Sequence, residues 1–136
     1  MTDIKQARAF LRVVGRDLAA LHGMHDKVVF ADEIFGFHVQ QAVEKSLKAW
    51  LCALGIAFPF THDLNRLLVL VRDSAGNVDD QWWADEFTVF AQQARYDDGY
   101  LQADAPLDRI DIVHKVDGLF ARVNGVIQAF DSGKPS

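Results

Sequence analysis

One predicted helix of this chain carries a polar stripe that could bind a charged ligand. With 100° between successive residues of an α-helix, the stripe covers an arc of roughly 80°. Its members are His38, Gln41, Lys45 and Lys48. Lysines offer point charges for a phosphate, and an amide can hydrogen-bond the edge of a base. The opposite face is apolar and consists of Phe35, Val39, Ala42, Val43, Leu47, Trp50 and Leu54. The pattern therefore predicts a helix with one side in a core and the other side available for a ligand.

Two later breaks in the helical pattern supply residues that could complete this groove. His62 and Asp63 stand at the start of the next predicted helix, and Arg95 and Tyr96 lie at a later break. An aromatic ring beside cationic side chains offers a surface on which a base can stack. Each position also has a structural interpretation, since Asp63 could favour the positive end of a helix and Arg95 could form a salt bridge. The sequence leaves both interpretations open.

Apolar spacing divides the chain into five helices. They are predicted at about residues 3–23, 31–54, 61–71, 79–94 and 104–130. Thr2 or Asp3 is the expected N-cap of the first helix, Gly55 the left-handed C-cap of the second and Thr61 the N-cap of the third. Proline is tolerated in a first turn, so Pro106 suits the start of the last helix. Within the second helix, Glu44 and Lys48 have the favoured orientation for an i,i+4 ion pair.

These elements predict an all-α fold, namely an antiparallel up-and-down four-helix bundle with one additional shorter helix. No stretch alternates strictly between apolar and polar residues, as a half-buried strand would. Residues 1–131 are expected to form a single domain and residues 132–136 a frayed tail. Gly118 and Gly125 each weaken the last helix by about 1 kcal/mol relative to alanine. Their presence suggests that a neighbouring helix approaches closely there.

Composition narrows the classes of function. The single cysteine, Cys52, excludes an intramolecular disulfide and suits a reducing compartment, so we expect a cytoplasmic protein. No apolar run is long enough to span a bilayer, and a membrane location is not expected. The net charge of -5 argues against a general DNA-binding surface, although a local cationic groove remains compatible with it.

A metal site is not predicted. Two histidines and a carboxylate, His22, His25 and Asp26, lie within five residues of one another. Gly23 is expected to end the first helix, so the two imidazoles need not share a face, and no further ligand cluster completes a coordination shell. We interpret the segment as a helix-terminal turn, and we expect no cofactor.

Two segments resemble the signature of the HEPN domain family. The first runs from Phe37 to Ala49, and the second comprises Gly55-Ile56, Pro59 and the string Thr61-His62-Asp63-Leu64. The later Ala94-Arg95-Tyr96 is similar to the family's Ala-Arg-Tyr-Pro, except that Asp97 replaces the proline. The resemblance implies a helical bundle, commonly a dimer, that is related to the C-terminal domain of kanamycin nucleotidyltransferase and is often encoded beside a minimal nucleotidyltransferase.

Two functions follow from the resemblance. The first, which we favour, is a nucleotide-binding or partner module for a nucleotidyltransferase that is not catalytic by itself. A purely structural dimeric interaction domain is a separate alternative to both. The second is a metal-independent ribonuclease of a toxin–antitoxin pair, since many relatives carry an Arg-x4-6-His motif. Arg16 with His22 and Arg109 with His114 meet that spacing, although about one such pair is expected by chance. In such an enzyme, histidine would move a proton and arginine would stabilise the charged phosphate.

Overall fold

The described part of the chain is all-helical. The computed structural model describes residues 2–74, 76–91 and 107–131, and no strand occurs among them. The helices are α1 (Ile4–His22), α2 (Asp32–Leu54), α3 (Leu64–Asp73), a 3-10 helix (Trp82–Val89) and α4 (Arg109–Asp131). The prediction of an all-α fold is confirmed. None of these helices is long and apolar enough to cross a membrane.

Helix α2 is the central element, because it contacts α1, α3, the 3-10 helix and α4. Its apolar face is buried as predicted, with Phe35 and Leu47 fully covered and Trp50 1% exposed. The helix ends at Gly55, whose φ of 75° is the left-handed conformation that glycine adopts without steric cost. Gly36 contributes differently, since a Cβ at this position would collide with the Phe90 ring. The smallest side chain therefore allows Phe90 to pack directly against α2.

Helix α1 packs against both α2 and α4. The Asp3 side chain caps it by accepting a hydrogen bond from the Gln6 backbone N–H at 3.0 Å, in agreement with the sequence. Its buried side chains recur at helical spacing and are Ala7, Leu11, Val14, Leu18 and Leu21. These residues form the core face of α1.

The start of α3 differs from the prediction. Asp63, and not Thr61, is the N-cap, and its carboxylate accepts a hydrogen bond from the Asn65 N–H at 3.0 Å. The Thr61 hydroxyl accepts from the Asp63 N–H at 3.1 Å and so closes the preceding turn. Threonine and aspartate are both common N-caps. Here the Asp63 carboxylate reaches a free N–H group of the first turn, so the helix begins at the next residue, Leu64.

The fourth predicted helix is also different, because residues 82–89 form a 3-10 helix and not an α-helix. A 3-10 helix repeats every three residues. That repeat places Ala84, Phe87 and Phe90 on one side, and all three are buried. Residues 92–94, which the prediction included, lie outside the described residues.

Helix α4 is described from Arg109, so its predicted start at residues 104–106 is outside the described range. Among the described residues, a Cβ placed at Gly118 or Gly125 would meet nothing within 4 Å. The prediction that these glycines mark a close helix–helix approach was therefore wrong. Both residues face open space, because they lie on the exposed side of α4.

Candidate functional site

A buried carboxylate, Glu44, is the centre of the candidate site. Its side chain is 5% exposed and accepts hydrogen bonds from three side chains. Gln40 Nε2 and His62 Nδ1 each lie 2.8 Å from Glu44 Oε1, and Lys48 Nζ lies 3.0 Å from Oε2. The predicted ion pair between Glu44 and Lys48 is confirmed. A buried charge with this many partners is held in one orientation.

Local sequence explains how these groups meet. Gln40, Glu44 and Lys48 are spaced four residues apart and therefore stack along one side of α2. The chain reverses at Gly55, and the connection to α3 returns over this side of α2. His62 comes from that connection and closes the cluster across 18 positions of sequence.

The environment shifts the acidity of Glu44. Burial on its own raises the pKa of the carboxyl, but the hydrogen bonds from Gln40, His62 and Lys48 and the Lys48 charge outweigh it. The pKa of Glu44 therefore lies below its usual value of 4.5. The carboxylate stays ionised and keeps its donors in place at neutral pH.

The network continues from Glu44 to the protein surface. Gln40 Nε2 also donates to the His62 backbone carbonyl at 3.1 Å, and Gln40 Oε1 accepts from Gln41 Nε2 at 2.6 Å. Lys45 Nζ in turn donates to Gln41 Oε1. Gln40 is fully buried and uses both ends of its amide. Gln41 and Lys45, which are only partly buried, are thereby held in fixed positions at the surface.

Two phenylalanines border the network. The Lys48 ammonium lies 5.9 Å from the centre of the Phe58 ring and 5.8 Å from that of Phe60. Phe60 meets the His62 ring edge-to-face at 5.5 Å, yet 92% of Phe60 is exposed. We name this region the α2–α3 corner. It consists of Gln40, Gln41, Glu44, Lys45, Lys48, Phe58, Phe60 and His62.

The structure brings together only part of the predicted groove. Gln41, Lys45 and His62 lie in one network, whereas His38 Nδ1 lies 3.5 Å from Asp17 Oδ1 on α1. The Asp63 carboxylate is used as a helix cap. Arg95 and Tyr96 lie outside the described residues.

The polar stripe on α2 is less open than predicted. Lys48 is 7% exposed, because the connection carrying Phe58 and Phe60 covers it. Sequence reasoning also missed Gln40 as a member of the site. Its four-residue spacing from Glu44 was the available signal.

The two arginine–histidine pairs are in different environments. The Arg109 guanidinium is buried and donates to the Met24 carbonyl at 2.8 Å, the Phe30 carbonyl at 2.6 Å and Asp32 Oδ1 at 3.0 Å. It also lies 4.7 Å from the centre of the Phe35 ring. His114, in contrast, is exposed. Arg109 thus connects the start of α4 to the segment between α1 and α2.

The other candidate residues at the end of α1 have structural contacts. His22 Nε2 lies 3.0 Å from Asp117 Oδ2 on α4, and Arg16 is exposed. Asp26 accepts hydrogen bonds from the N–H groups of Val28 and Val29, as in a tight turn. In the part of the chain that the structure describes, no three His, Cys, Asp or Glu side chains are placed to hold a metal ion.

The fold and the corner together define an all-helical domain whose long second helix forms a polar network with the connection that follows it. The sequence model of the HEPN domain matches residues 4–125, and the chain belongs to this family, as the two motifs indicated. Membership supports a nucleotide-related or ribonuclease-type role. No match was found among curated proteins or among solved structures.

Proposed function

We propose that this chain is a non-catalytic HEPN module that binds a nucleotide at the α2–α3 corner and serves a partner nucleotidyltransferase. The observation that carries the proposal is the network around Glu44. It holds Gln41 and Lys45 in place next to the partly exposed His62 and the exposed Phe60. Polar groups that are positioned before a ligand arrives lose less entropy on binding.

The donors that remain at the corner suit a nucleotide. Lys45 uses one N–H bond on Gln41, which leaves two for a phosphate. The Gln41 amide has one N–H left for an acceptor on a base edge. His62 binds Glu44 through Nδ1, so its Nε2 points away from that bond and is available to a ligand. Phe60 offers an exposed ring face on which a base can stack.

The contacts of Arg109 support the non-catalytic part of the proposal. An arginine that stabilises a phosphate in a transition state must present its N–H groups to the substrate. Both terminal nitrogens of Arg109 already donate inside the protein, to two carbonyls and a carboxylate. Arg109 is therefore better suited to holding α4 in place than to ribonuclease chemistry.

The proposal includes three further features. The contacts among α1, α2 and α4 support an antiparallel four-helix bundle, with α3 and the 3-10 helix packed on α2. We propose a homodimer, which is supported by the exposed apolar side chains of Val28, Val29 and Ile110 at the end that Arg109 holds together. A cytoplasmic location fits the single free cysteine, Cys52.

A nucleotide panel tests the binding proposal. Thermal shift and calorimetric titration with ATP, GTP, CTP and UTP should show a stabilised, saturable complex with at least one of them. Lys45→Ala and Phe60→Ala should each weaken binding at the corner about tenfold, the expected result of losing a charge-assisted hydrogen bond or a stacking contact. Lys27→Ala is the matched control, because Lys27 is exposed outside the corner and its loss should leave binding unchanged. A flat response to all four nucleotides at millimolar concentration would contradict the proposal.

A further inference from the structure

A second cleft lies between α4 and the start of the 3-10 helix, and it shares no lining residue with the corner. Its volume is about 320 Å³. One wall consists of Asp80, Gln81 and Trp83, and the α4 wall consists of His114, Lys115, Gly118 and Arg122. The cleft thus has one wall rich in cations and one wall with an aromatic ring and an amide.

Helical spacing organises the α4 wall. His114, Gly118 and Arg122 follow one another at four-residue intervals and therefore share a face of α4. His114 and Arg122 are separated by about 12 Å along the helix axis. Gly118 lies between them, and no other described residue comes within 4 Å of where its Cβ would be. The missing side chain leaves room for a ligand between two groups that can bind an anion.

The cations of this wall are available to an external anion. Arg122 has no carboxylate within ion-pair distance among the described residues, and its guanidinium lies 5.4 Å from the centre of the Trp50 ring. Lys115 lies 3.1 Å from Asp111, but both side chains are about half exposed. An exposed pair of this kind contributes little, so a bound anion can replace Asp111. Two available cations thus lie in one cleft of a chain whose net charge is -5.

The opposite wall favours a planar group. The Trp83 ring borders the cleft, and Lys115 Nζ lies 5.9 Å from its centre. Gln81 Oε1 is buried and has no hydrogen-bond donor among the residues that the structure describes. A buried acceptor without a donor is costly, so a rotation of the Gln81 amide that brings Oε1 to an N–H group of a ligand would be favourable.

We infer that this cleft is a second binding site, separate from the α2–α3 corner, and that it binds a small aromatic phosphate such as a nucleotide. The phosphate lies against His114, Lys115 and Arg122, and the ring lies against Trp83 with an amino group near Gln81. The Asp80 carboxylate repels the phosphate from the second wall and so determines the orientation in which the ligand binds. The volume is at the lower end for small-molecule sites, which favours a single nucleotide over a polynucleotide.

Calorimetric titration with ADP, inorganic phosphate and a short single-stranded RNA tests this inference. Lys45→Ala protein, in which the corner is weakened, should still bind ADP at one site per chain, and phosphate should bind there more weakly. Adding Arg122→Gln should weaken ADP binding about tenfold. Gly118→Leu should abolish it by filling the cleft while keeping every charge. Arg16→Gln is the matched control, because it removes the same charge from an exposed position outside the cleft.

The outcomes separate this inference from the proposed function. If Arg122→Gln and Arg16→Gln bind ADP equally well, or if the RNA binds in the cleft and ADP does not, the inference is wrong. In that case ADP binding that depends only on Lys45 would leave the proposed function intact. Conversely, ADP binding that depends on Arg122 and Gly118 but not on Lys45 would support the cleft and contradict the corner. Circular dichroism checks that Gly118→Leu keeps its helix, which leucine favours over glycine.

Discussion

Glu44 and Arg109 are both buried charges, but the protein satisfies them in opposite ways. Glu44 is bound by side chains, one of which, His62, is partly exposed. Arg109 is bound mainly by backbone carbonyls, and only 2% of its side chain is exposed. The first arrangement leads through Gln41 and Lys45 to the surface, whereas the second ends inside the protein.

This difference separates a candidate binding region from a structural contact. Both charges lie in segments that sequence reasoning selected for chemistry, since Glu44 lies in the HEPN motif and Arg109 belongs to an arginine–histidine pair. A residue can bind a ligand only if some of its hydrogen-bonding groups remain available. At the corner such groups remain on Lys45 and His62, while both terminal nitrogens of the buried Arg109 already donate to groups inside the protein.

The largest expected effect is the loss of stability in Arg109→Ala. The substitution leaves the Met24 and Phe30 carbonyls and the Asp32 carboxylate without their shared donor. We expect the free energy of unfolding to fall by about 4 kcal/mol, as for other broken buried ion pairs. Urea denaturation measures this change. His114→Ala, at an exposed position, should change stability by less than about 0.5 kcal/mol. Equal losses in the two variants would contradict the structural role of Arg109.

Glu44→Gln should have the next largest effect. The amide keeps an acceptor for His62 but leaves the buried Lys48 ammonium without a counter-charge. We expect a loss of about 2 kcal/mol in urea denaturation, because a buried charged donor loses its charged acceptor. Glu86→Gln provides the control, since Glu86 is exposed. If Glu44→Gln were as stable as Glu86→Gln, the network would not be what holds the corner together.

The dependence of stability on pH should be smaller and should come from the same carboxyl. The pKa of Glu44 is lower in the folded protein than its usual value of 4.5, so the ionised form stabilises the fold. This contribution is fully present above pH 4.5 and is lost as the pH falls through the folded pKa. Urea midpoints measured from pH 7 downwards should therefore decline below about pH 4.5 in the wild type. Glu44→Gln should decline less steeply, and parallel profiles would contradict the assignment.

Phe60→Ala should have the smallest effect on stability. The ring is 92% exposed, so its removal uncovers little apolar surface and should change the free energy of unfolding by less than about 0.5 kcal/mol. Nucleotide binding at the corner should nevertheless weaken. Urea denaturation and titration of the same sample separate the two results. A large loss of stability would mean that Phe60 holds the connection between α2 and α3 in place, and it would contradict a role in ligand binding.

The features that could be predicted are those that depend on residues close together in the sequence. Helix α2, its left-handed end at Gly55 and the Glu44–Lys48 pair follow from periodicity, glycine geometry and i,i+4 spacing. The burial of Lys48 and Gln40 was missed, because it depends on the path of the chain after Gly55. That path brings Phe58 and His62 onto α2, and local spacing contains no information about it.

The contact of His38 was missed for a similar reason. His38 shares the polar arc of α2 with Lys45, but Asp17 on α1 lies next to it and not next to the corner. The packing of α1 on α2 therefore divides one predicted stripe into two environments. The 3-10 helix at Trp82–Val89 was missed because an apolar pattern of so few residues fits periods of both 3 and 3.6.

Amide chemical-shift mapping tests the central claim most directly. Isotope-labelled protein is titrated with the nucleotide that stabilises it best. The titration is repeated on Arg122→Gln, in which binding at the second cleft is weakened. We expect the amide chemical shifts of Gln41, Lys45 and residues 60–63 to change together and to reach saturation in both proteins. If these amides stay unshifted while the nucleotide binds elsewhere, the α2–α3 corner is not the binding site.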